Sequence, residues 1–306
     1  NELEDIINYY LDFDQYNKAS KAIEFGSSIY PFELFYKIKR AEILLASQNT
    51  GKAIRMLESA REMEPTNVEI AKLLGDAYSI NGKFKKAIDC YLFALNRNLD
   101  TADILLRLAS ISLITHNDSK AMEYINSLPA DFVYDEFALQ DFMKLFYDFE
   151  KYELAQTFLK GVIDSDPYNY SAWYYLGLTY QKSEKYNKGI DAFEYCIAID
   201  DKNTLGHLGK GNCLMELKQY NDAIVCFKNS MDNDASDAEV LCNIAECYEN
   251  LENLSSARYY YLRAIKADQE LADGYFGIAM VYKKQEQYKQ AENNLLKAID
   301  LDELES

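Results

Sequence analysis

"SAWYYLGLTYQKSEKYNKGIDAFEYCIAID", residues 171–200, is the stretch that decides the fold. Trp173, Leu176, Gly177 and Tyr180 fall at i, i+3, i+4 and i+7, which is one stripe of a helix. A short polar run, Ser183 to Tyr186, interrupts it, and Gly189, Phe193 and Cys196 then form a second stripe at i, i+4 and i+7. Small residues in both stripes, Gly177 and Gly189, let two antiparallel helices approach closely. The stretch therefore reads as a core-packing pattern.

A shift of 34 residues reproduces it. With Tyr170 as position 1, position 20 reads Ala19, Ala53, Ala87, Ala121, Ala155, Gly189, Ala223, Ala257 and Ala291, without insertion or deletion. Position 8 is mostly small (Ala41, Gly75, Ala109, Gly177, Gly211, Ala245, Ala279), against Ile7 and Met143. Position 17 is mostly aromatic: Tyr16, Phe84, Tyr152, Tyr186, Tyr220 and Tyr288. Position 32 holds Pro31, Pro65 and Pro167, where a missing N–H ends the second helix.

These columns resemble the tetratricopeptide repeat, a 34-residue helix–turn–helix unit. The resemblance runs through the whole chain as one solenoid, with repeats at about 1–33, 34–67, 68–101, 102–135, 136–169, 170–203, 204–237, 238–271 and 272–305. It implies an all-α fold, an α-solenoid of stacked antiparallel helix pairs wound into a right-handed superhelix whose first helices line a concave groove. One repeat departs from the pattern. Ser112 stands at position 11, and Leu128 and Pro129 predict an early end to its second helix, with a bend at 126–136. The last helix, 289 to about 301, keeps Ala291, Leu295 and Ala298 at core columns. A solenoid end wants a polar face, so this helix is expected to continue into a longer parent or to meet a partner.

Composition narrows the function classes. The 306 residues are 49% hydrophobic and 27% charged, with only four prolines and twelve glycines, ample for a packed core. Net charge is −18, which disfavours nucleic acid and anionic membrane and favours basic partners. Six scattered cysteines, Cys90, Cys196, Cys213, Cys226, Cys242 and Cys247, read as reduced structural thiols. Without an apolar run of membrane length or a visible signal peptide, the expected location is cytoplasmic. The chain begins at Asn1 without methionine, which leaves a removed leader open.

A search for chemistry finds none. His116 falls in an intra-repeat turn and His207 at a core column, so no metal site is expected from two distant imidazoles. "MDNDASD", 231–237, opens like a calcium loop but has Asp237 and Asn243 downstream where such a loop needs glycine and glutamate. "LGHLGKGN", 205–212, is glycine-rich without the dinucleotide spacing. No nucleophile stands with a base. The expectation is a protein with no catalytic residue and no cofactor.

In the family, the groove is lined by first-helix positions near 2, 5, 6, 9 and 12. Early repeats fill them with charge: Glu42, Glu69, Lys72, Asp76, Asp103 and Arg107. From the fifth repeat they become Phe137, Tyr174, Tyr175, Leu178, Leu205, Leu208, Met215, Cys242, Phe276 and Met280, apolar residues that point either to a partner or to packing between neighbouring first helices. Asn212 and Asn243 resemble part of the asparagine pattern with which chaperone-tail adaptors grip a carboxylate. Leu208, Asp273 and Gly277 stand where that grip needs cations, which argues against it.

The expected function is a non-catalytic interaction scaffold or adaptor holding a peptide or partner segment with basic flanks in the groove. Two alternatives stand beside it. One is the recruiting or regulatory region of a longer enzyme or secretion component, and the other is a structural solenoid that self-associates through its C-terminal helix.

Overall fold

The computed structural model describes residues 2–97, 101–129, 136–202, 204–231 and 237–305, and every regular element among them is a helix. The helices come in pairs. They are α1 (Glu2–Asp12) with α2 (Tyr16–Ile29), α3 (Leu34–Ala46) with α4 (Thr50–Met63), and α5 (Val68–Ile80) with α6 (Phe84–Leu95). Then follow α7 (Thr101–Ile114) with α8 (Asp118–Asn126), α9 (Glu136–Asp148) with α10 (Tyr152–Ser165), and α11 (Tyr170–Lys182) with α12 (Tyr186–Ile199). The last are α13 (Thr204–Glu216) with α14 (Tyr220–Asn229), α15 (Ala238–Asn250) with α16 (Leu254–Ala267), and α17 (Ala272–Lys284) with α18 (Tyr288–Glu305). The chain forms two compact units, residues 1–145 and 146–306, divided within α9.

One turn recurs inside every pair. Asp14, Gln48, Gly82, His116, Glu150, Glu184, Lys218, Glu252 and Glu286, spaced by 34, all have positive φ between 53° and 69°. This left-handed residue lets its own amide and the next one turn back onto the helix just ended. In α11, Glu184 N–H donates to the Gln181 carbonyl at 3.0 Å and Lys185 N–H to that of Tyr180 at 2.8 Å. The same pair of bonds closes α3, from Gln48 to Leu45 and from Asn49 to Leu44. His116 is thus a turn residue, at a position where only Gly82 avoids a side-chain clash with its own backbone.

The core follows the small columns. Ala53, Ala87, Ala121, Ala155, Ala223 and Ala257 have no exposed surface, and Gly189 is buried. Where position 8 is glycine, an aromatic ring at position 24 fills the space. A methyl group added to Gly75 would overlap Tyr91, and one on Gly211 would stand 2.7 Å from Phe227. Trp173 differs from the core role its stripe predicts. It is half-buried at the rim of its pair, stacks on Tyr195 with ring centroids 4.4 Å apart, and donates from its indole N–H to the Pro167 carbonyl at 2.9 Å. The polar indole N–H needs a partner, and the inter-repeat turn supplies one.

The fourth pair ends early. α8 stops at Asn126 after nine residues, short of Pro129. The rest of the predicted bend, 130–135, and the calcium-like residues 232–236 lie outside the described residues.

Candidate functional site

The first-helix stripe of the second unit spans α11, α13, α15 and α17. Of the residues the sequence singles out, Phe137 lies outside those whose side chains are described. Tyr174 is half-buried, with its ring 6.0 Å from Phe193 and 5.3 Å from Tyr175, and burial pushes its phenol pKa up. The backbone carbonyl of Tyr175 accepts from the Tyr147 hydroxyl at 3.3 Å and the Thr179 hydroxyl at 2.7 Å. Leu178 and Met280 are half-buried. Leu208 and Met215 pack against the cluster of Leu214, Phe227 and Ile244, so they also serve the fold. Leu205 and Phe276 stand out by exposure, 47% and 54%. Asn212 and Asn243 are half-buried, and neither side-chain amide has a hydrogen bond among the described residues.

Between α15, α16 and α17 the stripe opens into a hollow of about 380 Å³. Its floor is Tyr261. Gly277 permits that, because a methyl group there would overlap the ring. Cys242, Phe276 and Met280 form an apolar wall, and Asn243, Glu246, Glu249 and Asp273 the polar rim. Glu249 is satisfied internally: the Tyr261 hydroxyl donates to it at 3.3 Å and Lys284 Nζ lies 2.8 Å away. Glu246 and Asp273, both exposed at the rim, form no ion pair among the described residues. Partial burial raises the Glu246 carboxyl pKa, with Glu249, Glu216 and Asp273 pushing in the same direction. Burial takes the Cys242 thiol up to about 12, with Asp273, Glu239 and Glu246 adding to it. The sequence reading of the stripe passed over Glu246 because it followed apolar residues, although position 9 was the signal.

The stripe of the first unit is closed by its own charges. Lys39 pairs with Glu42 at 2.9 Å and with Glu69 at 3.6 Å, and Lys72 pairs with Asp103 at 2.7 Å. Arg107 pairs with Asp103 at 3.0 Å and with Asp76, which also accepts from the Tyr91 hydroxyl at 2.6 Å. Burial raises the Asp76 pKa against the pull of Arg107 and Tyr91. Asp103 is also pushed up by burial, but the bonds from Arg107 and Lys72 outweigh that and hold it low.

Five cysteines are buried and Cys242 is half-buried, all as free thiols. Among the described residues no three histidine, cysteine or carboxylate side chains converge as metal ligands, and no helix is long and apolar enough to cross a membrane.

A family model of the tetratricopeptide repeat matches residues 170–203, 238–271 and 272–303, and a second one matches 38–89. Over 131 residues the chain is 26% identical to transcription factor tau subunit sfc4 of Schizosaccharomyces pombe, covering 42% of this chain and 11% of that protein. Over 269 residues it is 23% identical to the BBSome complex member BBS4 of Bos taurus, covering 87% of this chain and 51% of that one. The chain therefore spans about half of BBS4 and a small part of sfc4. A solved structure of the RS-1 ArsTM double mutant of MamA superposes with a TM-score of 0.51 at 16% identity, over 56% of this chain and 96% of that one, a likeness of fold.

Proposed function

Because this chain is a tetratricopeptide repeat protein, we propose that it is a non-catalytic scaffold carrying a peptide or partner segment along the first helices of its second unit. Stacked repeats of this kind present a continuous face to other proteins. The observation that carries the reading is the exposure of Leu205 and Phe276 on that face, flanked by half-buried Tyr174, Leu178 and Met280. Apolar side chains left open beside the half-buried amides of Asn212 and Asn243 suit a segment that supplies side chains to the one and backbone to the other.

A second reading rests on the relatives. One is named a BBSome complex member and another a subunit of transcription factor tau, and both are longer than this chain. They support a role as one component of a multisubunit assembly, in which this stretch recruits a neighbour.

The test is a paired capture from native lysate, with the chain and its Leu205→Glu, Phe276→Glu variant as baits and circular dichroism confirming equal helicity. A protein retained by the first and lost from the second supports the reading. Equal retention moves the binding face elsewhere and overturns it.

A further inference from the structure

The repeat register allows the two charge patterns to be compared position by position. Glu246 stands at position 9, as do Glu42 and Asp76, and Asp273 stands at position 2, as do Glu69 and Asp103. In the first unit these carboxylates are neutralised from positions 5 and 6, by Lys39, Lys72 and Arg107. In the last two repeats positions 5 and 6 hold Cys242, Asn243, Phe276 and Gly277. The anions are kept and the cations are gone, and the space the cations would fill is the hollow between α15 and α17.

We propose that this hollow receives a basic side chain, arginine or lysine, from the segment bound along the face. The proposal rests on the scaffold reading above and names the partner's chemistry. Phe276 and Met280 offer an apolar wall to the aliphatic stem of such a side chain, and the exposed Phe276 ring offers a face to its charge. Glu246 and Asp273 then supply the counter-charge that Lys39, Lys72 and Arg107 supply from within the chain elsewhere. Glu249 adds little, being already engaged by Lys284 and Tyr261. Burial first, and then the neighbouring Glu249, Glu216 and Asp273, raise the Glu246 carboxyl pKa, and that crowding of carboxylates favours an incoming cation.

A displayed library of random dodecapeptides, selected on the full chain, is the probe. Selected peptides are expected to share an arginine or lysine. Replacing that residue by citrulline or norleucine should weaken binding about tenfold, the cost of one charge-assisted contact. Glu246→Gln with Asp273→Asn should weaken the parent peptide about as much and the neutral peptide hardly at all. Asn243→Lys, which restores a position-6 cation, should also abolish the basic preference while leaving the fold intact by circular dichroism. Peptides that bind through Leu205 and Phe276 without basic enrichment overturn the subsite and leave the scaffold reading standing, as does an equal loss for charged and neutral peptides. A chain that retains no peptide overturns both.

Discussion

The ring of Phe193 is held between two glycines. A methyl group on Gly177, in the same repeat, would stand 2.6 Å from it, and one on Gly209, in the next repeat, would overlap it. Phe193 has no exposed surface, so it has nowhere to withdraw. This one ring locks both the pair α11–α12 and its stacking on α13.

Gly177→Ala and Gly209→Ala are therefore expected to destabilise by about 1–3 kcal/mol, the usual cost of overpacking, despite the better helix propensity of alanine. Gly161 in α10 has nothing within 4 Å of an added methyl, and Gly161→Ala should stabilise by about 0.5–1 kcal/mol. Urea unfolding followed by circular dichroism reads both signs. If both substitutions raise the midpoint, the ring is not confined.

The left-handed turn gives a second prediction. Eight of its nine positions carry a side chain that this backbone disfavours by roughly 1–2 kcal/mol, partly offset by the entropy that glycine loses on folding. Glu184→Gly should raise stability by up to about 1 kcal/mol, and Gly82→Val should lower it by at least as much. Identical midpoints for all three chains would show that the turn carries no strain.

The charge ladder of the first unit should respond to both salt and acid. Arg107→Met removes the cation paired with Asp76 and one of the two paired with Asp103, and should cost roughly 1 kcal/mol, less at high salt because the pairs are partly solvated. Asp103 has a lowered pKa, so its contribution is present above the ordinary carboxylate range and is lost as pH falls through its folded value. Asp76 has a raised pKa and works in the opposite sense, gaining as pH falls. Asp103→Asn should flatten the loss of stability as pH falls below about 4, and Asp76→Asn should not. Thermal melts across that range decide.

At alkaline pH the buried thiols contribute alongside the buried phenols of Tyr78, Tyr91, Tyr147 and Tyr261. Burial pushes Cys196, Cys213 and Cys247 up to about 12, with Asp200, Glu216 and Glu246 respectively adding to it, and Cys242 behaves alike. A raised folded pKa means stability that is complete below the ordinary thiol value and lost as pH rises toward 12. Melting temperature should fall steadily from about pH 9, more shallowly in Cys196→Ala and Cys213→Ala. At pH 8 a thiol reagent should reach the five buried cysteines of the native chain only as fast as it opens, and rapid labelling of those five would refute this burial.

Position 20 shows how far the sequence reaches. A column of alanines at constant spacing announces helix pairs, their register and their close approach, because hydrophobic periodicity acts within a few turns of one chain. The early stop of α8 before Pro129 was legible for the same reason. Trp173 was not: its place in the stripe predicted core, and its exposure depends on Tyr195 and the Pro167 carbonyl across a turn.

What the sequence determined alone is the 34-residue register, the helices and the small residues that let them meet. The tertiary structure decided which charges cancel. Lys39 reaches Glu69 and Lys72 reaches Asp103 across neighbouring repeats, while Glu246 and Asp273 meet no cation among the described residues and border an open space. Backbone periodicity is a local property, but the neutrality of a carboxylate depends on distances between side chains of different helices, and those exist only once the repeats have stacked.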